Sequence, residues 1–379
     1  MNDLAKFHDL LILCARAHEA PSPFGRGRGV RASVAHYDYL RQAAASLPAW
    51  DSIPSMAEAH GLTPLVYTHL QAAKITIPES IERELRARTM QHSHANRVRT
   101  GALAEILAAF QSAEIESLLL KGMAMAHAVY PRPGLRVMSD IDLLVGKSNA
   151  QQGQNILTEL GFRPVNSGVP SPHHMPTLHK LVEGVPVYAE LHHNLNRRLP
   201  PETGFKTLRM AAIPIIIDGT HSAAYTLAYE DMLAHTYAHI IAAPFQPFRL
   251  IWLADMISLV ERFGDQINWE RLPLRVYRAL AAINWLTPFR LVLSEKVTLR
   301  SEIFPYRKVA QLRGWPFSVI PAQNRDEYLS NIPAAFRPSD WWLRFYYGLS
   351  LNHWLFGMSA PQLTSYRVDT PIPHPRPYC

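Results

Sequence analysis

The amino-acid sequence predicts an α+β protein in which a mixed-sheet core is flanked by helical regions on its N-terminal and C-terminal sides. Three observations carry that prediction. Apolar residues recur at helical spacing through residues 1–100. Between residues 114 and 217 short runs of branched aliphatic residues appear, with helical segments interrupting them. Beyond Gly219 the helical period returns. The expected regions are therefore a helical 1–100, an α/β core over 101–220, a helical 221–358 and an extended, proline-rich tail over 359–379.

Taken in order, residues 6–20, 34–47 and 55–73 read as helices, and 78–111 as one long helix whose start suits Pro78 followed by Glu79. Strands are expected at 117–120, 136–145, 178–182, 186–192 and 213–217. Helices at 123–130 and 148–160 separate them, and Gly161 is a good residue to close the second. Glu183-Gly184 reads as a tight turn that joins 178–182 and 186–192 into a hairpin. Further helices are expected at 230–241, 250–263, 269–286 and 341–354, with Pro244 and Pro247 breaking the first from the second.

Composition limits the function classes. A chain of 379 residues with 48% hydrophobic and 18% charged residues folds around a sizeable core. Its two cysteines, Cys14 and Cys379, provide neither a disulfide framework nor a cysteine-rich zinc module, which fits a reducing, cytoplasmic setting. Lysine plus arginine outnumber aspartate plus glutamate by 38 to 31, a formal +7 that favours anionic partners such as nucleotides. The excess is too diffuse to imply nucleic acid, and the one compact basic run, Arg26-Gly27-Arg28-Gly29-Val30-Arg31, reads as a solvated loop. No membrane partner is expected either. The longest apolar stretch, 211–217, is interrupted by Pro214, and the apolar run at 10–15 is too short for a secretion signal.

The chemistry concentrates in Leu118-Leu119-Leu120-Lys121-Gly122 and in Arg136-Val137-Met138-Ser139-Asp140-Ile141-Asp142-Leu143-Leu144-Val145. In a strand, alternate side chains share a face, so Asp140 and Asp142 stand together while Ile141, Leu143 and Val145 point the other way. Two carboxylates rooted about 6–7 Å apart repel each other unless a cation intervenes. A divalent metal, Mg²⁺ or Mn²⁺, is the economical explanation, and it would hold the phosphates of a nucleotide. By itself, removing one member of such a pair is expected to relieve repulsion. Glu190, in Val187-Tyr188-Ala189-Glu190-Leu191-His192, is the candidate third carboxylate and shares its face with Tyr188 and His192.

Together these residues resemble a known family. Leu-Lys-Gly, a short helix ending in tyrosine, an arginine, Ser-Asp-Ile-Asp-Leu-Leu-Val and a later Ala-Glu-Leu-His-His are similar to the uncharacterised bacterial nucleotidyltransferases of the polymerase-beta-like superfamily, also called nucleotidyltransferase family five. The resemblance covers about 103–255 and implies a nucleotidyltransferase fold binding metal ions and a nucleoside triphosphate. It assigns Asp140 and Asp142 to the paired aspartates and Glu190 to the third acidic position, and it puts Lys121-Gly122 where the wider superfamily has Gly-Ser.

Read physically, Gly122 offers no side chain to obstruct a phosphate, a following helix points its amides back at it, and Lys121 adds a point charge. Arg136, with Arg132 behind it, is a further phosphate candidate; Ser139, which alternates away from the carboxylates, reads first as structural and completes the nucleotide-contact set. Asp231, His235 and His239 recur every fourth residue and form a polar stripe, with Asp255 on the next helix. That stripe is open to structural, acceptor-cleft or metal-binding roles, as is His192 to an acceptor role. The loop pair His173-His174, between prolines, is expected to be exposed.

These readings converge on metal-dependent transfer of a nucleoside monophosphate, most simply AMP from ATP, to an acceptor that is a small molecule, peptide or protein, with pyrophosphate released. Asp140 and Asp142 would hold the metals, and Glu190 would complete the site and help deprotonate the acceptor. The rivals are a nucleotide-binding or regulatory protein of the same fold without turnover, and a zinc hydrolase built on His235 and His239.

Overall fold

A computed structural model describes residues 3–17, 29–165, 173–195, 204–217, 224–242 and 249–273, together with 276, 277, 279, 280 and 283. The chain divides into two compact units, one comprising residues up to Arg83 and from His239 onward, the other comprising Glu84–Ala238.

The first unit is helical. It contains α1 (Asp3–Leu13), α2 (Gly29–Ala45), α3 (Ile53–Ala59) and α4 (Thr63–Ala72). The single helix expected over 55–73 is thus two, and the reason lies in Gly61-Leu62-Thr63-Pro64: Pro64 lacks the amide a continuing helix needs and instead sits in the first turn of α4. Unit boundaries fall within α5 (Glu79–Ser112), which matches its expected span closely.

In the second unit follow β1 (Ser117–Leu120), α6 (Lys121–Ala128), β2 (Asp140–Val145), α7 (Ala150–Glu159), β3 (Arg163–Pro164), β4 (Leu178–Val182), β5 (Val185–His192), α8 (Phe205–Ala211), β6 (Ile213–Ile215) and β7 (Ala224–Thr226). Strand β2 is shorter than the expected 136–145, because Pro133–Leu135 form a 3-10 turn and the chain enters the sheet only at Asp140. Helix α7 closes as Gly161 foretells: at φ +91° its N–H reaches Thr158 O, and Phe162 N reaches Leu157 O.

The seven described strands form one mixed sheet, ordered β3-β4-β5-β2-β1-β7-β6. Strand β2 lies at its centre, antiparallel to β1 and parallel to β5, with Asp142 level with both Leu120 and Glu190. The hairpin of β4 and β5 turns on Glu183 and Gly184, both at positive φ, the geometry in which the turn's twist matches that of its strands. The outermost strands are two and three residues long, and each holds a proline, Pro164 in β3 and Pro214 in β6. The central strands are buried on the face opposite the carboxylates by Ile141, Leu143, Val145, Val187, Ala189 and Leu191. Helix α7 packs tightly there; a side chain at Gly153 would collide with Leu191 at 2.8 Å.

Helix α9 (Tyr229–Ala242) crosses the second unit boundary, and α10 (Leu250–Phe263) belongs to the first unit, where Leu250 to Val260 are buried throughout. There the buried Arg16 pairs with Glu261 at 3.2 Å, and Ser258 Oγ accepts the Ala17 amide at 2.7 Å. After α10, Trp269–Arg271 form a 3-10 turn in place of the first turn of an expected helix. The breaks at Pro244 and Pro247, the helix expected at 341–354 and the tail at 359–379 lie outside the described residues. Among the described residues no helix is long and apolar enough to cross a membrane.

Candidate functional site

The strand registers build the site. Asp140 and Asp142 share one face of β2, and the parallel pairing sets Glu190 beside Asp142 and Tyr188 beside Asp140 on that same face. His192, two residues beyond Glu190, turns its ring back, so that Nε2 lies 2.8 Å from Asp142 Oδ1 and 3.6 Å from Glu190 Oε2. From the end of β1, Lys121 reaches across: its Nζ donates to Asp142 Oδ1 at 2.6 Å and lies 3.8 Å from Glu190 Oε2. Lys121 adopts φ +47°, a left-handed conformation that costs a side-chain-bearing residue energy and that recurs at functional sites.

The charges organise around Asp142, whose side chain is 1% exposed. Burial alone would push its carboxyl up, but the Lys121 ammonium and the His192 ring overcome that and hold it well below the carboxylate range. Burial likewise opposes the charged forms of Lys121 and His192, and the surrounding carboxylates reverse the outcome, raising both. Glu190 is held below its ordinary value, first by His192, and Thr177 Oγ1 donates to its Oε1 at 3.1 Å. Asp140 differs. Burial and the facing Asp142 charge push its carboxyl from 3.8 up to about 6, against partial relief from Lys121. The aspartates expected to act as an equivalent, mutually repelling pair are therefore unequal: Asp142 is paired and Asp140 bears the repulsion.

Among the described residues, the group of three side chains compact enough to hold a metal ion is Asp142, Glu190 and His192, with ligand atoms within 4.8 Å of one another. Two carboxylates and an imidazole suit a divalent cation. Asp140 lies outside that group, and His192, expected on the acceptor side, belongs to it.

A family model described as an uncharacterised nucleotidyltransferase matches residues 46–294. The chain belongs to that nucleotidyltransferase family. Two solved structures are similar to this nucleotidyltransferase. The crystal structure of ANT(2″)-Ia in complex with adenylyl-2″-tobramycin is 15% identical and aligns over 49% of this chain and 96% of that one, with a TM-score of 0.32. The solution structure of the antibiotic-resistance factor ANT(2″)-Ia is 14% identical over 50% of this chain and 92% of that one, also with a TM-score of 0.32. No curated protein matches the sequence.

The remaining candidates of the nucleotidyltransferase occupy distinct settings. Gly122 is buried, and the space its missing side chain leaves is filled by Arg136 Nη1 at 3.0 Å and Met138 Cβ at 3.2 Å from where a Cβ would stand. Arg136 is itself buried, donates to Val137 O at 2.6 Å, and its charge acts on Asp140. Ser139 precedes the strand, so alternation does not govern it; its exposed hydroxyl donates to Asp140 Oδ1 at 3.4 Å. Asp231 and His235 are buried in α9, and His239 meets Trp252 of α10 edge-on at 5.3 Å. None of the three belongs to a compact metal-holding group among the described residues.

Three residues stand near the site where local spacing does not place them. His174, expected to be exposed, is half-buried because its segment pairs with the end of β5, bringing its ring 5.3 Å from that of His192. Thr177 reaches Glu190 through the antiparallel pairing of β4. Arg99, one basic residue among many on α5, is buried and donates to Pro186 O at 3.4 Å, with its charge coupled to Asp140. Each depends on a pairing between distant segments, which local spacing does not encode.

Proposed function

We propose that the protein transfers a nucleoside monophosphate, most simply AMP from ATP, to a hydroxyl or phosphate acceptor on a small molecule, peptide or protein, with Mg²⁺ or Mn²⁺ as cofactor. The observation that carries this reading is the alignment of Asp142 with Glu190 on the sheet face that Asp140 shares. The acceptor oxygen attacks the α-phosphorus, a hydroxyl acceptor giving up its proton to water, the bond from that phosphorus to the bridging oxygen breaks, and pyrophosphate leaves.

Asp142, Glu190 and His192, with Asp140 beside them on the same sheet face, are the residues that would hold the cation, whose contribution when bound is to neutralise phosphate charge. Thr177 fixes the orientation of the Glu190 carboxylate. The lowered pKa of Glu190 keeps it ionised and suits a ligand better than a base. Lys121, at the start of α6, and the buried Arg136 supply positive charge toward the triphosphate, with Gly122 admitting Arg136 to its place and Ser139 steadying Asp140.

The silent, nucleotide-binding reading keeps one specific observation in its favour, the Lys121 ammonium bonded to Asp142 where a cation is needed. Incubation with each nucleoside triphosphate, Mg²⁺ and candidate acceptors separates the two. Pyrophosphate release together with a nucleotide-sized mass increment on an acceptor supports transfer; nucleotide binding without either supports the silent form.

A further inference from the structure

The position of Lys121 has a consequence for the order in which ligands enter. Its Nζ stands 2.6 Å from Asp142 Oδ1, 3.4 Å from His192 Nε2 and 3.8 Å from Glu190 Oε2, so it touches every member of the compact ligand group. An ammonium in contact with all three groups and a divalent ion coordinated by them compete for one place, since each would repel the other at close range. Two features keep the ammonium there. The left-handed backbone at Lys121 departs from the extended Leu120 and starts α6, turning the lysine stem over β2. The adjoining Gly122 is packed closely by Arg136 and Met138, which leave no room there for a side chain. The side chain is nonetheless 21% exposed, so part of it faces solvent.

We propose that Lys121 is an internal cation occupying the metal position, and that the triphosphate draws it away, so that the Asp142–Glu190–His192 cluster admits a divalent ion only together with nucleotide. The inference rests on reading this cluster as a cation site for nucleotidyl transfer. It makes Lys121 a positioning residue that couples two binding events, a role beyond contact with phosphate. Charge balance favours the exchange: the ammonium leaves two carboxylates for a polyanion as the divalent ion arrives to replace it.

The test is Mn²⁺ binding to the full chain without nucleotide, read from the loss of the free-ion electron paramagnetic resonance signal. The wild type is expected to show no stoichiometric binding. Lys121→Met is expected to bind Mn²⁺ roughly tenfold or more tightly than the wild type, and Glu190→Gln in that background to remove the gain. Lys121→Arg, which keeps the cation, should remain as weak as the wild type. Lys121→Met binding no tighter than the wild type overturns the proposal. Should that variant not fold, Lys121→Gln replaces it, and the wild type still decides: stoichiometric Mn²⁺ bound without nucleotide and lost on Glu190→Gln also overturns it. These measurements need neither acceptor nor turnover. A chain without transferase activity whose Lys121→Met gains Mn²⁺ keeps this inference and loses the proposed function, and an active chain with unchanged Mn²⁺ affinity does the reverse.

Discussion

The sheet face around β2 and the stripe on α9 start from the same kind of sequence signal, polar side chains repeated at the period of their element, yet they become different things. On β2 the pair Asp140 and Asp142 meets Glu190 and His192 from a parallel neighbour and Lys121 from an antiparallel one. On α9, Asp231 and His235 are buried within the helix's packing, and His239 rests against an indole. A periodic polar set thus becomes a reactive cluster when a second element supplies groups of complementary charge in register. Period alone specifies a face.

That difference makes the sheet cluster interdependent. Asp142→Asn is expected to abolish nucleotidyl transfer and to destabilise the protein by about 3–5 kcal/mol, because it strips a buried carboxylate from Lys121 and His192. Denaturant unfolding alongside pyrophosphate release checks this, and an unchanged midpoint would break the claim of interdependence. Glu190→Gln should lower the chemical step by ~100-fold or more while nucleotide affinity changes far less, since Lys121 and Arg136 still supply positive charge toward the triphosphate. A mutant that binds nucleotide poorly but turns over normally at saturation would reverse that assignment.

Asp140 sharpens the comparison within one strand. Asp140→Asn should also abolish transfer, but at pH 7 it should stabilise the fold by about 1–2 kcal/mol. The sign follows from its carboxyl being raised from 3.8 to about 6: the folded state holds that proton more tightly than the unfolded chain, so the wild type loses stability as pH rises between those values. The advantage of the mutant should therefore shrink on going from pH 7 to pH 5, measured by unfolding at both. The smallest effects belong to the stripe. His235→Ala and His239→Ala should leave metal content unchanged by elemental analysis, with His239→Ala costing about 1 kcal/mol through its lost ring contact. Stoichiometric zinc lost in both would make α9 a metal site and collapse the contrast.

Much of this was legible in the sequence, for identifiable reasons. The Asp-Ile-Asp alternation, the Glu183-Gly184 turn, the Gly161 cap and the helical run of α10 each depend on a handful of adjacent residues, and each stands where it was expected. Strands β3 and β7, of two and three residues, are too short to show a period, and helix α8 is only seven residues long. The inequality of Asp140 and Asp142 was hidden for another reason. It arises from Lys121 and His192, which stand 21 and 50 residues away from Asp142 along the chain. The sequence shows which charges exist; their pairing is decided by strand order.

The prolines in β3 and β6 have a consequence for how the protein meets other molecules. A sheet normally recruits extended peptides, or another copy of itself, by offering free amides and carbonyls along an outer strand. Here each outer strand of the described sheet is a stub with one amide missing, at Pro164 and at Pro214. Main-chain recruitment is thereby blunted at both margins. If the proposed acceptor is a peptide or protein, it is accordingly expected to be recognised by its side chains rather than by strand addition at these margins.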